Sequence, residues 1–142
     1  MTDLFGGAIS ADIPSSFVDA SDFRPIPSHQ EVYVSKNCND SIIIEIVEMQ
    51  PVPIESMAQY HLKEVCESLT SVVVEHDIPN QIGAVGSLGC GNLANQRIHM
   101  IVLRLEAYST DLLISWNSSA DCCARILCLA STLIVHDTSL FG

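Results

Sequence analysis

Residues 31–48 read EVYVSKNCNDSIIIEIVE, and this stretch decides the fold that the sequence predicts. Its first part, Glu31–Ser35, alternates between polar and apolar residues, and its last part, Ser41–Glu48, is a β-branched run. Alternation with a period of two is typical of a strand, because successive side chains point to opposite faces of a sheet. The link 36–40 holds two Asn and one Asp, which favour turns. We therefore predict an antiparallel hairpin closed by a five-residue loop.

The patterns around this hairpin predict an α+β domain. Residues 98–105 are apolar at odd and even positions alike, so we expect a central strand covered on both faces. The last helical pattern has one narrow polar stripe, so we expect that helix to be buried along most of its circumference. The other predictions are two short extended pieces in 4–16, a helical turn at 19–23, an amphipathic helix over 56–70, a strand beginning at 72–74, strands at 98–105 and 112–116, and a helix over 120–134. Together they predict one domain spanning residues 1–142, an antiparallel β-sheet flanked by α-helices.

Residues 83–92 read GAVGSLGCGN and invite comparison with a phosphate-binding loop. Such a loop needs the Lys-Ser/Thr ending of a P-loop or a strand-loop-helix frame. Residues 77–96 contain no Lys, and neither pattern is present. We predict a surface loop over 77–96 and no nucleotide site.

The six cysteines and five histidines show no metal or catalytic spacing. Zinc sites need ligand pairs at short intervals, whereas Cys122 and Cys123 are adjacent. A catalytic cysteine needs a positioned base, and Cys66 near His61 has no evident acid to orient that histidine. We expect no catalytic residue, no metal and no cofactor, and we expect the cysteines to be reduced residues of the core.

The chain is strongly acidic, with 17 acidic residues against 6 basic ones and a net charge of -11. That charge repels phosphate backbones and anionic lipids, so we expect neither nucleic acid nor a membrane as partner. A basic protein surface would be attracted, although the same charge also serves solubility alone. No apolar run approaches the roughly 18 residues of a membrane span, and the first residues lack the pattern of a leader. We expect the protein in the nucleus and cytoplasm.

Polar residues accumulate around the hairpin without matching an enzyme motif. A solvated rim is the simplest interpretation, and a binding site is the alternative. On a regular strand Glu45 and Glu48 point to opposite faces, so a common site requires the strand to end, twist or bulge between them. Phe23, Ile26 and Tyr33 are candidates for an apolar anchor beside these polar groups. The polar residues are Asp19, Asp22, Arg24, Gln30, Glu31, Glu45 and Glu48.

At these residues the sequence resembles the Mog family, whose members are Ran-binding nuclear-import factors with guanine-nucleotide release activity. The similarity is dense over residues 4–48 and again over 97–142. It implies the Mog/PsbP-like fold, an antiparallel β-sheet flanked by α-helices, in agreement with the α+β pattern. The segments that carry it are LFGGA at 4–8, FVDASDFRPIP at 17–27, QEVYV at 30–34, SIIIEIVE at 41–48 and HDTSLF at 136–141.

The resemblance also implies a function. It implies that the chain binds the small GTPase Ran, promotes guanine-nucleotide release from it, and regulates nucleocytoplasmic transport by binding rather than by catalysis. The Ran-binding residues that it implies are Glu45 and Glu48 and, more loosely, Glu31, Asp19 and Arg24. Another Ran-binding protein stays open as a second partner. The alternative is an interaction adaptor that keeps the fold without Ran activity, and a Ran-binding measurement separates the two.

Overall fold

The computed structural model describes residues 1–65, 68–73, 78–93 and 95–141, with the backbone alone for 65, 68–73 and 93. Within these residues a seven-stranded antiparallel sheet is the centre of the fold, with the strand order β3-β4-β5-β9-β8-β7-β6. A smaller sheet has the order β1-β2-β10. The strands are β1 (Thr2–Leu4), β2 (Ile9–Ala11), β3 (Phe17–Asp19), β4 (Gln30–Ser35), β5 (Ser41–Glu48), β6 (Ser68–Val73), β7 (Val85–Leu93), β8 (Gln96–Leu105), β9 (Thr110–Ser118) and β10 (Ile134–Val135), and the helices are α1 (Ile54–Val65) and α2 (Cys123–Thr132).

The predicted hairpin is confirmed as β4 and β5 with the loop 36–40 between them. The loop is closed where Ser35 N donates to Asp40 O at 3.0 Å. On its other side β5 pairs with β9 along its whole length, from Ser41 opposite Asn117 to Glu48 opposite Thr110, with no register shift. The strand therefore neither breaks nor bulges between Glu45 and Glu48.

The sheet carries an apolar core on each face, because one helix packs on each side. Alternate residues of β8 belong to the two cores, which confirms the expectation of a central strand covered on both faces. Burying each large side chain contributes roughly 1.5–3 kcal/mol. The α1 side holds Met57, Ala58, Leu62, Ile98, Met100, Val102 and Leu113. The α2 side includes Ile101, Leu103, Ile114, Trp116, Ile126, Leu129 and Ala130.

The small sheet joins segments that are far apart in the sequence. Both β1 and β10 pair with β2, and Ser10 Oγ lies 2.7 Å from His136 Nε2. His136 N also donates to Ala8 O at 2.7 Å. This sheet places the 3-10 turn Thr138–Phe141 against the N-terminal segment, where Phe5 and Leu140 line one depression.

The predicted loop over 77–96 is wrong for its central nine residues, because Val85–Leu93 is the strand β7. One of the glycines that suggested a loop, Gly89, allows α1 to lie close to the sheet. A Cβ at Gly89 would lie 2.7 Å from Leu62 Cδ1 and 3.2 Å from Ala58 Cβ. Between the glycines, Ser87 Oγ accepts a hydrogen bond from Ala58 N at 3.2 Å. Residues 77 and 94 lie outside the described residues.

The two predicted helices need correction as well. The helix predicted over 56–70 ends at Val65, residues 68–70 belong to a strand, and residues 66–67 lie outside the described residues. The last helix is shorter than 120–134, and it is not buried along most of its circumference. One side packs on the sheet, while Ala124, Arg125 and Cys128 are exposed, because apolar or small residues do not by themselves require burial. The expectation of core cysteines holds for Cys122 and is wrong for Cys38 and Cys128, which are exposed.

The close approach of α1 predicts a coupled pair of substitutions. We expect Gly89→Ala to lower the free energy of unfolding by about 1–3 kcal/mol, because the new methyl group must displace Leu62. Leu62→Ala alone should cost about 2–5 kcal/mol by leaving a cavity. The double variant should cost clearly less than the sum, since each change makes room for the other. Urea unfolding of the three variants measures this, and additive costs would contradict the packing.

Candidate functional site

Two of the predicted site residues, Asp19 and Glu31, line one open depression of about 350 Å³. Asp19 ends β3, and its Oδ1 accepts a hydrogen bond from Ser21 N at 2.9 Å, which caps the 3-10 turn Ala20–Asp22. Glu31 comes from β4, and its Oε1 accepts from Phe5 N at 2.8 Å. One oxygen of each carboxylate is therefore held by the protein itself, which orients the side chain.

The buried phenol of Tyr33 reports the charge of this neighbourhood. Tyr33 pairs with Asp19 across β3 and β4, and it lies two residues after Glu31 on the same face. Burial, as the largest cause, and the carboxylates of Asp19, Glu31 and Asp22 together raise the pKa of Tyr33 to about 12. The three acids therefore converge around one point of the sheet edge.

Glu48 joins this site from the end of β5. It is exposed and lines a second depression of about 340 Å³ together with Tyr108 and Phe141. Leu140 lines both depressions, so the two adjoin. Glu31 on β4 lies opposite Ile44 on β5, so the two side chains point to the same face. Glu48 comes four residues after Ile44 on β5, so it points to that face too. The structure thus brings Asp19, Glu31 and Glu48 to one face, and "the acidic rim" denotes these three residues below.

Glu45 lies on the opposite face of the sheet. Its Oε2 accepts a hydrogen bond from Gln30 Nε2 at 2.7 Å and lies 3.2 Å from His29 Nε2. The side chain is 24% exposed, so it is reachable from solvent on the α1 side. Because β5 is unbroken, Glu45 and Glu48 do not share a site on one face.

The remaining predicted residues divide between the surface and the core. Arg24 follows the 3-10 turn and is exposed, with its N donating to Ala20 O at 3.1 Å. Of the candidate anchors, Phe23 is 71% exposed, Ile26 lines the depression with Asp19, and Tyr33 belongs to the core. Phe23 and Ile26 are therefore available to a partner.

Sequence reasoning missed Leu140 and Tyr108, which line the depressions beside the acidic rim. The segment HDTSLF at 136–141 resembles the Mog family, but nothing in its residues indicates contact with the distant hairpin β4–β5. The small sheet and the turn before β9 supply that proximity. A pairing pattern between distant segments is the signal that would have been needed.

A buried ion pair fixes the chain immediately after Glu48. The guanidinium of Arg104 contacts both oxygens of Asp111, Nε at 3.0 Å and Nη2 at 3.1 Å. It also donates to Val52 O at 2.7 Å and to Gln50 O at 3.3 Å. The side chain of Asp111 is fully buried and that of Arg104 is 10% exposed. The pair therefore ties the connection between β5 and α1 to the sheet.

A Cys-His-Asp arrangement at the start of α2 lacks the properties of a catalytic site. Cys122 Sγ lies 3.1 Å from His99 Nδ1, and His99 Nε2 lies 3.4 Å from Asp121 Oδ1. Burial raises the pKa of the Cys122 thiol to about 12, and the residue is 1% exposed, so it is neither ionised nor accessible. Cys66, the other cysteine considered as a nucleophile, lies outside the described residues, and burial lowers the pKa of the nearby His61.

The described residues contain neither a metal-binding cluster nor a membrane-spanning helix. No group of three or more His, Cys, Asp or Glu in that part of the chain is arranged to hold a metal ion. In the same residues, neither helix is long and apolar enough to cross a membrane.

The fold defines an α+β domain of the Mog1 type, with an antiparallel sheet between two helices. A family model described as "Ran-interacting Mog1 protein" matches residues 2–119, and the chain belongs to this family. The resemblance seen in the sequence is thereby confirmed.

Named relatives agree with this assignment. The chain is 36% identical over 135 residues to the Ran guanine nucleotide release factor of Bos taurus, covering 80% of this chain and 73% of the relative. It is 43% identical over 67 residues to the nuclear import protein mog1 of Schizosaccharomyces pombe, covering 46% and 35%. The crystal structure of the Saccharomyces cerevisiae Ran-binding protein Mog1p superposes with a TM-score of 0.75 at 26% identity, covering 99% of this chain and 97% of that one.

The convergence of carboxylates on Tyr33 is testable by titration. We expect the Tyr33 phenol to ionise near pH 12, and Asp19→Asn and Glu31→Gln each to lower its pKa without restoring the ordinary value, since burial is the largest cause. Because the folded-state pKa is raised, the stability that Tyr33 contributes is complete below about pH 10 and is lost as the pH rises through about 12. NMR of labelled tyrosine rings measures the pKa. Equal values in these variants and in the exposed-site control Asp12→Asn would contradict the convergence.

The buried ion pair predicts an asymmetric response to substitution. Asp111→Ala should lower the free energy of unfolding by about 3–5 kcal/mol, because it leaves the Arg104 guanidinium buried without a counter-charge. The double variant Arg104→Met with Asp111→Leu should lose less than Asp111→Ala, since no charge then stays buried. Chemical unfolding of wild type and the two variants measures these losses. Asp12→Ala is an exposed control, whose free energy of unfolding should stay within about 0.5 kcal/mol of wild type. A loss for Asp111→Ala no larger than that of the control would contradict the role of the pair.

Proposed function

We propose that this chain binds the small GTPase Ran, promotes release of its guanine nucleotide, and so regulates nucleocytoplasmic transport in the nucleus and cytoplasm. The names of its relatives supply the partner and the process: Ran guanine nucleotide release factor and nuclear import protein. The observation that carries the proposal is the convergence of Asp19 and Glu31 on one open depression inside the matched residues 2–119.

The distribution of charge supports a basic partner surface. Three of the six basic residues, Lys36, Arg97 and Arg125, lie toward the end of the sheet where β5 begins, and the acidic rim reaches the end where β5 stops at Glu48. A fourth, Arg104, is neutralised by Asp111. The chain as a whole carries 17 acidic residues against 6 basic ones, with Arg24 as the basic residue nearest to Asp19 in the sequence, and the net negative field raises the rate of encounter with a basic surface.

Binding alone accounts for the proposed activity. The carboxylates of this chain compete with the phosphates of the bound nucleotide in two ways. They pair with basic groups near the nucleotide pocket of Ran, and they attract the Mg²⁺ ion that the phosphates bind. Each exposed pair contributes about 1 kcal/mol or less, so several pairs and an apolar anchor must act together. Phe23, at 71% exposure, and Ile26 beside Asp19 and Glu31 are suited to that anchor. The proposal needs no nucleophile and no proton transfer within this chain.

The proposed Ran contacts fall into two groups. Asp19, Glu31 and Glu48 act from the acidic rim, and exposed Arg24 acts from the segment just after the 3-10 turn that Asp19 caps. Glu45 acts from the other face, where Gln30 and His29 hold its carboxylate. The two glutamates of β5 therefore contact different groups of Ran.

Nucleotide release from Ran tests this arrangement. We expect Glu48→Gln and Glu45→Gln each to slow the release of a fluorescent GDP analogue by up to about fivefold, the loss of one exposed ion pair. Because the two side chains lie on opposite faces, the double variant should show the product of the two effects, which corresponds to additive free energies within about 0.5 kcal/mol. Glu64→Gln on the exposed side of α1 is the matched control and should leave release unchanged.

Two results would count against the proposal in different ways. Strong non-additivity of Glu45→Gln and Glu48→Gln would show that both contact one group, which contradicts the two-face arrangement. A folded wild-type chain that neither binds Ran in any nucleotide state nor accelerates release would contradict the Ran function itself. That outcome would favour the adaptor without Ran activity.

A further inference from the structure

A row of open depressions continues past the acidic rim around the ring of Tyr108. The ring lines three of them, with volumes of about 340, 240 and 370 Å³. Tyr108 is 39% exposed, and its ring centroid lies 5.4 Å from that of Phe141. Neighbouring depressions share walls: Phe141 lines the first two, and Ile82 and Leu105 line the last two. They therefore form one groove, called the Tyr108 groove below.

The Tyr108 groove is continuous with the depression that holds Asp19 and Glu31. Leu140 lines that depression and also the one that contains Glu48. The path thus runs from the proposed Ran contacts, past the Tyr108–Phe141 pair, to the wall formed by Val85, which is 50% exposed. A partner bound at the acidic rim lies next to the entrance of the groove.

The charge along this path alternates with apolar surface. Glu48 lies on one side of Tyr108, and the exposed Glu106 lies on the other, two residues before it. Among the described residues that line the groove, the one Lys or Arg is Arg104, whose guanidinium is paired with Asp111. The groove therefore favours a positively charged occupant at both ends and an apolar one in the middle.

The sizes of the depressions fit side chains. Small-molecule pockets enclose roughly 300–1,000 Å³ in a single concavity. Here three open concavities of about 340, 240 and 370 Å³ follow one another in place of a single enclosed cavity, which suits successive side chains of a polypeptide. An extended segment presents side chains along its length and leaves its backbone on the surface.

We propose that the Tyr108 groove binds one extended segment of Ran, in which a bulky apolar side chain seated against Tyr108 and Phe141 lies between basic residues that pair with Glu48 and Glu106. This inference rests on the proposed Ran function and adds a second contact region to it. The acidic rim provides the encounter with a basic surface, and the groove provides the buried apolar contact that exposed ion pairs lack.

Titration calorimetry of the full chain with Ran tests the apolar contact. We expect Tyr108→Ala to weaken binding by about tenfold or more, the effect of removing a central aromatic contact. Tyr60→Ala is the matched control: Tyr60 is a tyrosine of nearly equal exposure on α1, and its ring also lies against a neighbouring ring, that of His61, edge-on. Its affinity for Ran should stay within about twofold of wild type. Thermal unfolding of both variants shows whether each is folded.

The charged ends of the groove are tested separately, with variants that leave the aromatic pair intact. Glu106→Lys should weaken Ran binding by about three- to fivefold and more strongly at low salt, whereas Glu64→Lys on α1 should not. A photo-crosslinking residue placed at 108 should attach to a Ran peptide with a bulky apolar residue between basic residues, and the same group at position 60 should attach to none. This readout does not depend on how well Tyr108→Ala folds.

The outcomes distinguish the groove from the function. If wild type binds Ran while Tyr108→Ala binds as Tyr60→Ala does and position 108 yields no crosslink, the groove proposal falls and the Ran function stands. If wild type binds Ran in no nucleotide state, the function falls, and the groove proposal falls with it. A crosslink from 108 to an acidic Ran segment would overturn the charge assignment.

Discussion

The unbroken ladder between β5 and β9 is the constraint on which the rest of the molecule depends. Eight consecutive residue pairs, from Ser41 opposite Asn117 to Glu48 opposite Thr110, fix the face of every side chain in both strands. Because the period of a strand is two, a slip of one residue would exchange the cores under α1 and α2. The same ladder places Glu48 on the acidic rim and Glu45 on the α1 side. The division of the candidate site is thus a result of how the core is packed.

Local patterns in the sequence were sufficient where local geometry decides the structure. The hairpin β4–β5 combines a period of two with turn residues. The cap at Asp19 depends only on the contact with Ser21, two residues later. The strand β7 was not predictable in this way. Its glycines at 86 and 89 are required because Leu103 and Leu62, from other elements, leave no space for a Cβ there. In the same way, Arg104 and Asp111 become partners through the register of β8 and β9, although each is unremarkable in its own segment.

The candidate site shows the same division. Resemblance to a family indicated the acidic residues, and strand parity showed that Glu45 and Glu48 share a site only if the strand is interrupted between them. Neither indicated that Leu140 would lie between the depressions of Glu31 and Glu48. That position depends on β10 pairing with β2, a contact between segments more than a hundred residues apart. Apolar walls of a site are harder to foresee than its charges, because an isolated Leu or Tyr has no pattern that separates a core residue from a binding surface.

The pairing of β2 with β10 has a consequence for the order in which the two depressions form during folding. Ser10 contacts His136, 126 residues later, and Phe5 and Leu140 line the same depression. The strands β3 to β5 and β9 suffice to position the backbone of Asp19, Glu31 and Glu48, whereas Leu140, which lines both depressions, depends on the docking of β10 against β2. Local opening of the segment 134–141 would therefore remove an apolar wall from both depressions and leave the charges in place.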